Sequence, residues 1–216
     1  RDVAPSRGLG DVYKRQEWSS DKYKRNIYGT PSDSCGDYAW IQHMICSMSS
    51  GKGRMAVVMP QGILFRGNQE AEIRKQLVES DLIEAVVTLG DKLFYGTGLS
   101  PCFLIIRRMK QAHHSGRILM IDGSKILTQK RAQNILEEND IDRLYSLYQN
   151  YSDEEDYSRI VTLQEIRDKE YNLSPNRYVV YHKEEIRPYA EVLAEFKQAY
   201  ADVKRLENEF SLLINA

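Results

Sequence analysis

Phe94 and Tyr95 stand side by side in the run Gly90-Asp91-Lys92-Leu93-Phe94-Tyr95-Gly96-Thr97-Gly98-Leu99-Ser100-Pro101, which lies between two apolar segments. Folding normally buries such rings, so an adjacent pair in a glycine-punctuated loop is either an anchor into its own core or a stacking surface. Gly96 and Gly98 permit positive φ and close backbone approach, but their spacing is not that of a phosphate-binding Gly-x-Gly-x-x-Gly turn. A second aromatic group, Trp18, Tyr23 and Tyr28, is interleaved with Lys22, Lys24 and Arg25 and with the turn residues Gly29, Pro31 and Asp33. Aromatics alternating with cations can stack on bases and touch phosphates, while a loop packing its own rings on the domain is the alternative. His43 has no Ser, Cys or acid spaced for a nucleophilic triad and is given no chemistry.

These loops must be carried by regular elements. Residues 54–67, Arg-Met-Ala-Val-Val-Met-Pro-Gln-Gly-Ile-Leu-Phe-Arg-Gly, read as a parallel strand buried on both faces that runs into a ligand-facing loop, because a solvated strand would alternate. Residues 82–89 and 102–106 are further strands rich in Val and Ile. Tyr38, Ile41, Ile45 and Met48 recur at helical spacing, with Asp37 as the expected N-cap and Gly51 as the stop. Asn68 is expected to cap a second helix, whose first turn holds Glu70 and Glu72 and whose buried stripe is Ile73 and Leu77. At the carboxyl end Pro188 suits a first helical turn. Leu193, Phe196, Tyr200, Val203, Leu206, Phe210 and Leu213 follow as the apolar stripe of a long amphipathic helix with coiled-coil character.

With 216 residues, 42% hydrophobic and 28% charged, the chain can bury an ordinary core and reads as one α/β domain with appendages. No apolar run approaches the roughly 20 residues of a membrane span and no secretory signal is visible, so the expected compartment is cytoplasmic. The three cysteines, Cys35, Cys46 and Cys102, form no metal-ligand spacing and are read as reduced thiols, with no metal site. A net charge of -1 argues against a wholly basic nucleic-acid binder. Arg107, Arg108, Lys110, Arg117, Lys125, Lys130 and Arg131 nevertheless crowd a stretch whose only acid is Asp122. That stretch is either a phosphate-neutralising patch or a solvated face.

Several ordered blocks together resemble one family. Residues 36–44 (Gly-Asp-Tyr-Ala-Trp-Ile-Gln-His-Met), residues 53–67, Ile73-Arg74 and residues 93–98 (Leu-Phe-Tyr-Gly-Thr-Gly) are similar to the modification subunit of type I restriction-modification systems. The likeness continues through residues 118–124, 157–161 and 171–178, and so covers nearly everything from residue 17 to about residue 180. The family comprises adenine-N6 DNA methyltransferases that use S-adenosylmethionine. The resemblance implies DNA as substrate and a specificity subunit and a restriction subunit as partners. It also implies that Phe94, with Tyr95 second, matches the aromatic that stacks on a flipped base. Lys22, Lys24, Arg25 and Arg66 are the candidates for contact with DNA.

The departures are as informative. The family's glycine-rich cofactor loop and its Asn-Pro-Pro-Phe/Tyr motif are both missing, since Asn26, Asn68 and Asn176 are followed by Ile27, Gln69 and Arg177. No catalytic or cofactor-binding residue is therefore assigned. The expected layout is a foreign leader or a linker fragment at 1–16, then the carboxyl-terminal part of a Rossmann-like methyltransferase sheet at 17–180 with a small mixed extension. A helix at 185–216 completes the chain; the resemblance implies that it packs against the specificity subunit, and a helix folded back on its own domain is the alternative. Such a chain would be inactive by itself, and a non-catalytic DNA-contact or assembly module is the competing reading.

Overall fold

The computed structural model describes residues 21–32, 35–182 and 188–214; the expected leader at 1–16 and Trp18 lie outside them. The chain divides into two compact units, residues 1–181 and 182–216. The first is built on five strands in the order β1-β3-β2-β4-β5. They are β1 (Arg54–Pro60), β2 (Ile83–Leu89), β3 (Pro101–Arg107), β4 (Arg117–Gly123) and β5 (Ser158–Thr162). The helices of this unit are α1 (Asp37–Ser47), α2 (Asn68–Glu79), α3 (Glu138–Asn150) and α4 (Leu163–Asp168).

β3 runs antiparallel between β1 and β2, which therefore point the same way. β4 lies parallel beside β2 and β5 antiparallel beside β4. The mixed extension expected after the methyltransferase sheet thus continues that sheet. Side chains alternate across it, as a pleated ladder requires. Val86, Leu104, Ile106, Ile118 and Met120 meet Ile41 and Ile45 of α1 and Ile73 and Leu77 of α2 on one face. Ala85, Val87, Leu119 and Ile121 meet Leu144 and Leu147 of α3 on the other. β2, covered on both faces, is buried at every residue.

β1 departs from its expectation as a parallel strand buried on both faces. It is an edge strand, its only partner in the sheet is antiparallel, and Ala56 and Val58 are exposed, the latter to 44%. The reason is geometric. Met55, Val57 and Met59 turn toward the α1/α2 core, whereas the α3 layer on the opposite face packs over β2 and β4. An apolar run does not by itself say which of its faces has a neighbour.

The two expected N-caps also differ. Gly36 and Gly67 occupy the cap positions without side-chain bonds, and α1 ends at Ser47, before Gly51. Asp37 turns its carboxylate to Arg66 instead. Asn68 takes a φ of 55°, a left-handed conformation that Asn tolerates.

The second unit carries α5 (Tyr189–Ile214), 26 residues long and so about 39 Å at 1.5 Å per residue. Phe196, Tyr200, Val203, Leu206 and Phe210 of the expected stripe are all exposed on it. Among the described residues no helix is long and apolar enough to cross a membrane.

Candidate functional site

The β2–β3 connection, residues 90–100, is fixed at its base and bare at its tip. The Gln61 side chain, in the turn after β1, donates to Leu89 O at 3.1 Å and to Pro101 O at 3.4 Å, joining both ends of the loop. From the other side Gln133 donates to Leu93 O at 2.9 Å and the Asn134 side chain to Asp91 O at 3.1 Å. Leu93 is the apolar residue of the loop that packs into the core. Anchoring therefore falls to Leu93, and its neighbours point outward: Phe94 is 49% and Tyr95 92% exposed. Gly96 uses the freedom expected of it, with φ of 74°, whereas Gly98 is not in the left-handed region.

The loop tip overhangs a groove of about 680 Å³ bounded by Val58, Met59, Pro60, Phe94, Tyr95 and Leu99. Beside it a hollow of about 580 Å³ is lined by Gln61, Phe65, Arg66 and Leu99. Both lie at the carboxyl end of β1, where open α/β sheets take their ligands. The first is an apolar slot with two rings at its mouth, which suits a flat aromatic ligand.

The cationic candidates are placed unequally. Arg66 is held inward, its guanidinium donating to Asp37 at 2.8 Å, to Glu70 at 3.2 Å and to the Cys35 sulfur at 2.6 Å. A Cβ on Gly62 would fall 2.3 Å from Arg66 Nε, so the bare glycine leaves the path for this side chain. Cys35, Asp37 and Glu70 bring one potential metal-ligand atom each within 4.8 Å, although sequence spacing gave no such cluster. The guanidinium already supplies their positive charge. Burial, with Asp37 and Glu70 alongside, pushes the Cys35 thiol up to about 11, so it stays protonated and donates to Asp37 at 3.1 Å. Lys22, Lys24 and Arg25 share one loop. Lys22 and Arg25 lie 5.8 Å and 5.0 Å from the centre of the exposed Tyr23 ring, and Arg25 also meets Asp21 and the His43 ring.

Much of the basic stretch is consumed by the fold. Arg107 pairs with Glu84 at 3.0 Å, Lys110 with Asp81 at 2.6 Å, and Lys130 with Glu137 at 3.4 Å, while Arg108 donates to Ile45 O at 2.7 Å. The sequence reading missed Glu84. It is 2% exposed within β2 and accepts from Tyr148 at 2.7 Å besides meeting Arg107 and His114. A lone acid inside the run Leu-Ile-Glu-Ala-Val-Val was the available signal, because a buried carboxylate demands partners. Asp122, noted in the sequence only as the one acid of the basic stretch, is buried as well. Burial alone would raise its pKa, but bonds from Tyr181, Ser124 and Thr88 hold it below the usual value.

His114 stacks on Tyr151 with ring centres 3.5 Å apart and lies 3.4 Å from Glu84. Burial lowers its pKa from 6.5, outweighing the pull of Glu84. The unfolded chain therefore takes up this proton at a higher pH than the folded one. The resulting stability is complete above the unfolded value and is lost as pH falls through the depressed folded value. Urea unfolding between about pH 7.5 and about pH 5.5 should show a falling midpoint that is shallower in His114→Gln. Equal pH slopes for the two proteins would remove His114 as the cause.

Comparison with known proteins fits this architecture. A sequence model described as N-6 DNA Methylase matches residues 9–186. The chain belongs to the N-6 DNA methylase family, and its mixed sheet is part of that family's Rossmann-like methyltransferase fold. Its relatives include the type I restriction enzyme MjaVII methylase subunit of Methanocaldococcus jannaschii, 35% identical over 92% of this chain and 36% of that protein. Another is the HindI methylase subunit of Haemophilus influenzae, 29% identical over 91% of this chain and 48% of that protein. The crystal structure of a type I methyltransferase subunit from Streptococcus thermophilus superposes with a TM-score of 0.69 at 28% identity, covering 76% of this chain and 34% of that one. The chain thus spans roughly a third to a half of the length of these relatives.

Proposed function

We propose that this chain is the base-handling part of a modification subunit of a type I restriction-modification system. The whole subunit methylates the N6 amino group of adenine in DNA at the expense of S-adenosylmethionine. The observation that carries this reading is the pair of outward aromatics, Phe94 and Tyr95, over an apolar groove at the ligand end of the sheet. A base acted on in duplex DNA must leave the stack and be held against a flat apolar surface, and Phe94 with Tyr95 can offer one. Lys22, Lys24, Arg25 and Arg66 serve the DNA backbone in this reading, Arg66 through whatever donor capacity its internal partners leave. The exposed stripe of α5 serves assembly with the specificity subunit, and the restriction subunit joins the same complex. The compartment is the cytoplasm.

In this reading the described residues do not hold the cofactor. The groove beneath Phe94 has no acid in its lining to accept from ribose hydroxyls, and the sequence contains no Asn-Pro-Pro run to hold the target amino group. No chemical step is assigned to this chain, whose contribution is to bind and orient. Calorimetric titration of the chain with S-adenosylmethionine should give no binding in the micromolar range. Clear micromolar binding would establish a cofactor site within these residues and overturn this division of labour. The competing reading, a non-catalytic assembly module, draws on the exposed apolar stripe of α5 and requires no stacking by Phe94.

A further inference from the structure

The end of the sheet opposite the Phe94 loop carries a second, chemically different groove. In the β1–β3 ladder Pro60 faces Pro101 at the aromatic end, and Arg54 faces Arg107 at the other. β1 has seven residues, so the two ends lie about 20 Å apart at roughly 3.3 Å per residue. At the Arg54 end a groove of about 520 Å³ is lined by Lys52, Arg54, Arg107, Met109, Lys110 and Gln111, with no acid among them.

Like charges directly opposite across an antiparallel pair are unfavourable unless something neutralises them. Glu84 neutralises Arg107 and Asp81 neutralises Lys110, and both carboxylates are on residues outside the groove lining. Among the described residues Lys52 and Arg54 make no ion pair, and both are exposed. Four cations thus converge on one hollow against two carboxylates, leaving two positive charges uncompensated. The rear pair is positioned: Lys110 also donates to Arg117 O at 2.8 Å, and its side chain is almost wholly buried. The front pair is free to meet a ligand.

We infer that this groove binds a chain of phosphates, with the unpaired Lys52 and Arg54 contacting the oxygens and the ion-paired Arg107 and Lys110 forming its rear wall. Two sources share that chemistry, the backbone of a nucleic acid and a free polyphosphate. The site stands apart from the base-handling groove and does not depend on it. Its test therefore fails or succeeds separately from that of the proposed function.

The experiment is calorimetric titration of the chain with inorganic tripolyphosphate at low salt. The double variant Lys52→Glu/Arg54→Glu should bind at least about tenfold more weakly, because reversing two charges turns attraction into repulsion. Lys125→Glu/Arg131→Glu changes net charge equally at exposed positions away from the groove and should stay within about twofold of the parent chain. Absence of tripolyphosphate binding by the unaltered chain, unchanged binding by the first variant, or equal weakening in both variants would overturn the site. A second arm separates the sources. If nucleic acid is the ligand, the slope of log affinity for duplex DNA against log salt becomes shallower by about two in the first variant, at roughly 0.9 per phosphate contact. An unchanged slope, with tripolyphosphate binding still lost, assigns the groove to free polyphosphate.

Discussion

In a full-length methylase carrying this segment, Phe94→Ala should lower methylation of adenine by roughly ten- to a hundredfold and leave overall DNA affinity within about threefold. The asymmetry follows from which interaction each measurement reads. Phosphate contacts dominate the affinity of a protein for DNA, whereas stacking on an extruded base acts only after that base has left the helix. Base-on-ring stacking contributes about 1–3 kcal/mol by alanine substitution, and each ~1.4 kcal/mol is tenfold in rate. Phe94→Tyr keeps the flat face and should retain most of the activity. Single-turnover methyl transfer and duplex binding, measured on the same preparations, provide the check. Unchanged turnover in Phe94→Ala would take this residue out of the site, and a loss confined to Tyr95→Ala would move the role one position along.

Glu84→Ala should destabilise the fold by about 3 kcal/mol, the largest effect expected of a single polar substitution here. Glu84 is the buried hub that meets Arg107, His114 and Tyr148 from three different elements. Removing one partner of a buried ion pair costs more than the pair contributes, because the surviving charge is left without compensation. Against a total stability of about 5–15 kcal/mol the loss is large enough to move a urea midpoint well outside error. Replacing both partners by apolar residues, Glu84→Met with Arg107→Met, should recover a substantial part of it, since no orphaned charge remains. A loss below about 1 kcal/mol in Glu84→Ala would show that water or a rearranged neighbour already satisfies these groups.

The family blocks and the strands β1, β2 and β3 were legible in the sequence, because apolar runs of strand length and a loop of fixed order survive without any knowledge of neighbours, whereas β4 and β5 were noticed only as parts of those blocks. Phe94 and Tyr95 stood out for the same reason, since two rings among glycines are conspicuous wherever they end up, and what the fold adds is their exposure. Which face of β1 is covered was not legible, since Ala56 and Val58 look like core residues whether or not a helix lies over them. The partners of Arg66 and Arg107 were also invisible. Asp37 and Glu84 reach them from positions 29 and 23 residues away in the chain, and only the folded register brings the charges together. Charge crowding along the sequence therefore overstated the basic surface between Arg107 and Arg131, and the cations that remain free at Lys52 and Arg54 attracted no notice there.

The exposed flank of β1 has a consequence for handling the protein. Within the described residues that side of the strand has no partner, so its outward amides and carbonyls are open to another strand. Arg54 discourages such pairing at one end by charge, and Pro60 at the other by lacking an amide proton. Between them Met55-Ala56-Val57-Val58-Met59 carries no charge and favours extended structure. Concentrated solutions of the chain would thus be expected to associate edge to edge through this segment, and a lysine at position 56 would be the simplest remedy, because it would place a charge on the bare face while leaving the α1/α2 core and the Phe94 groove untouched.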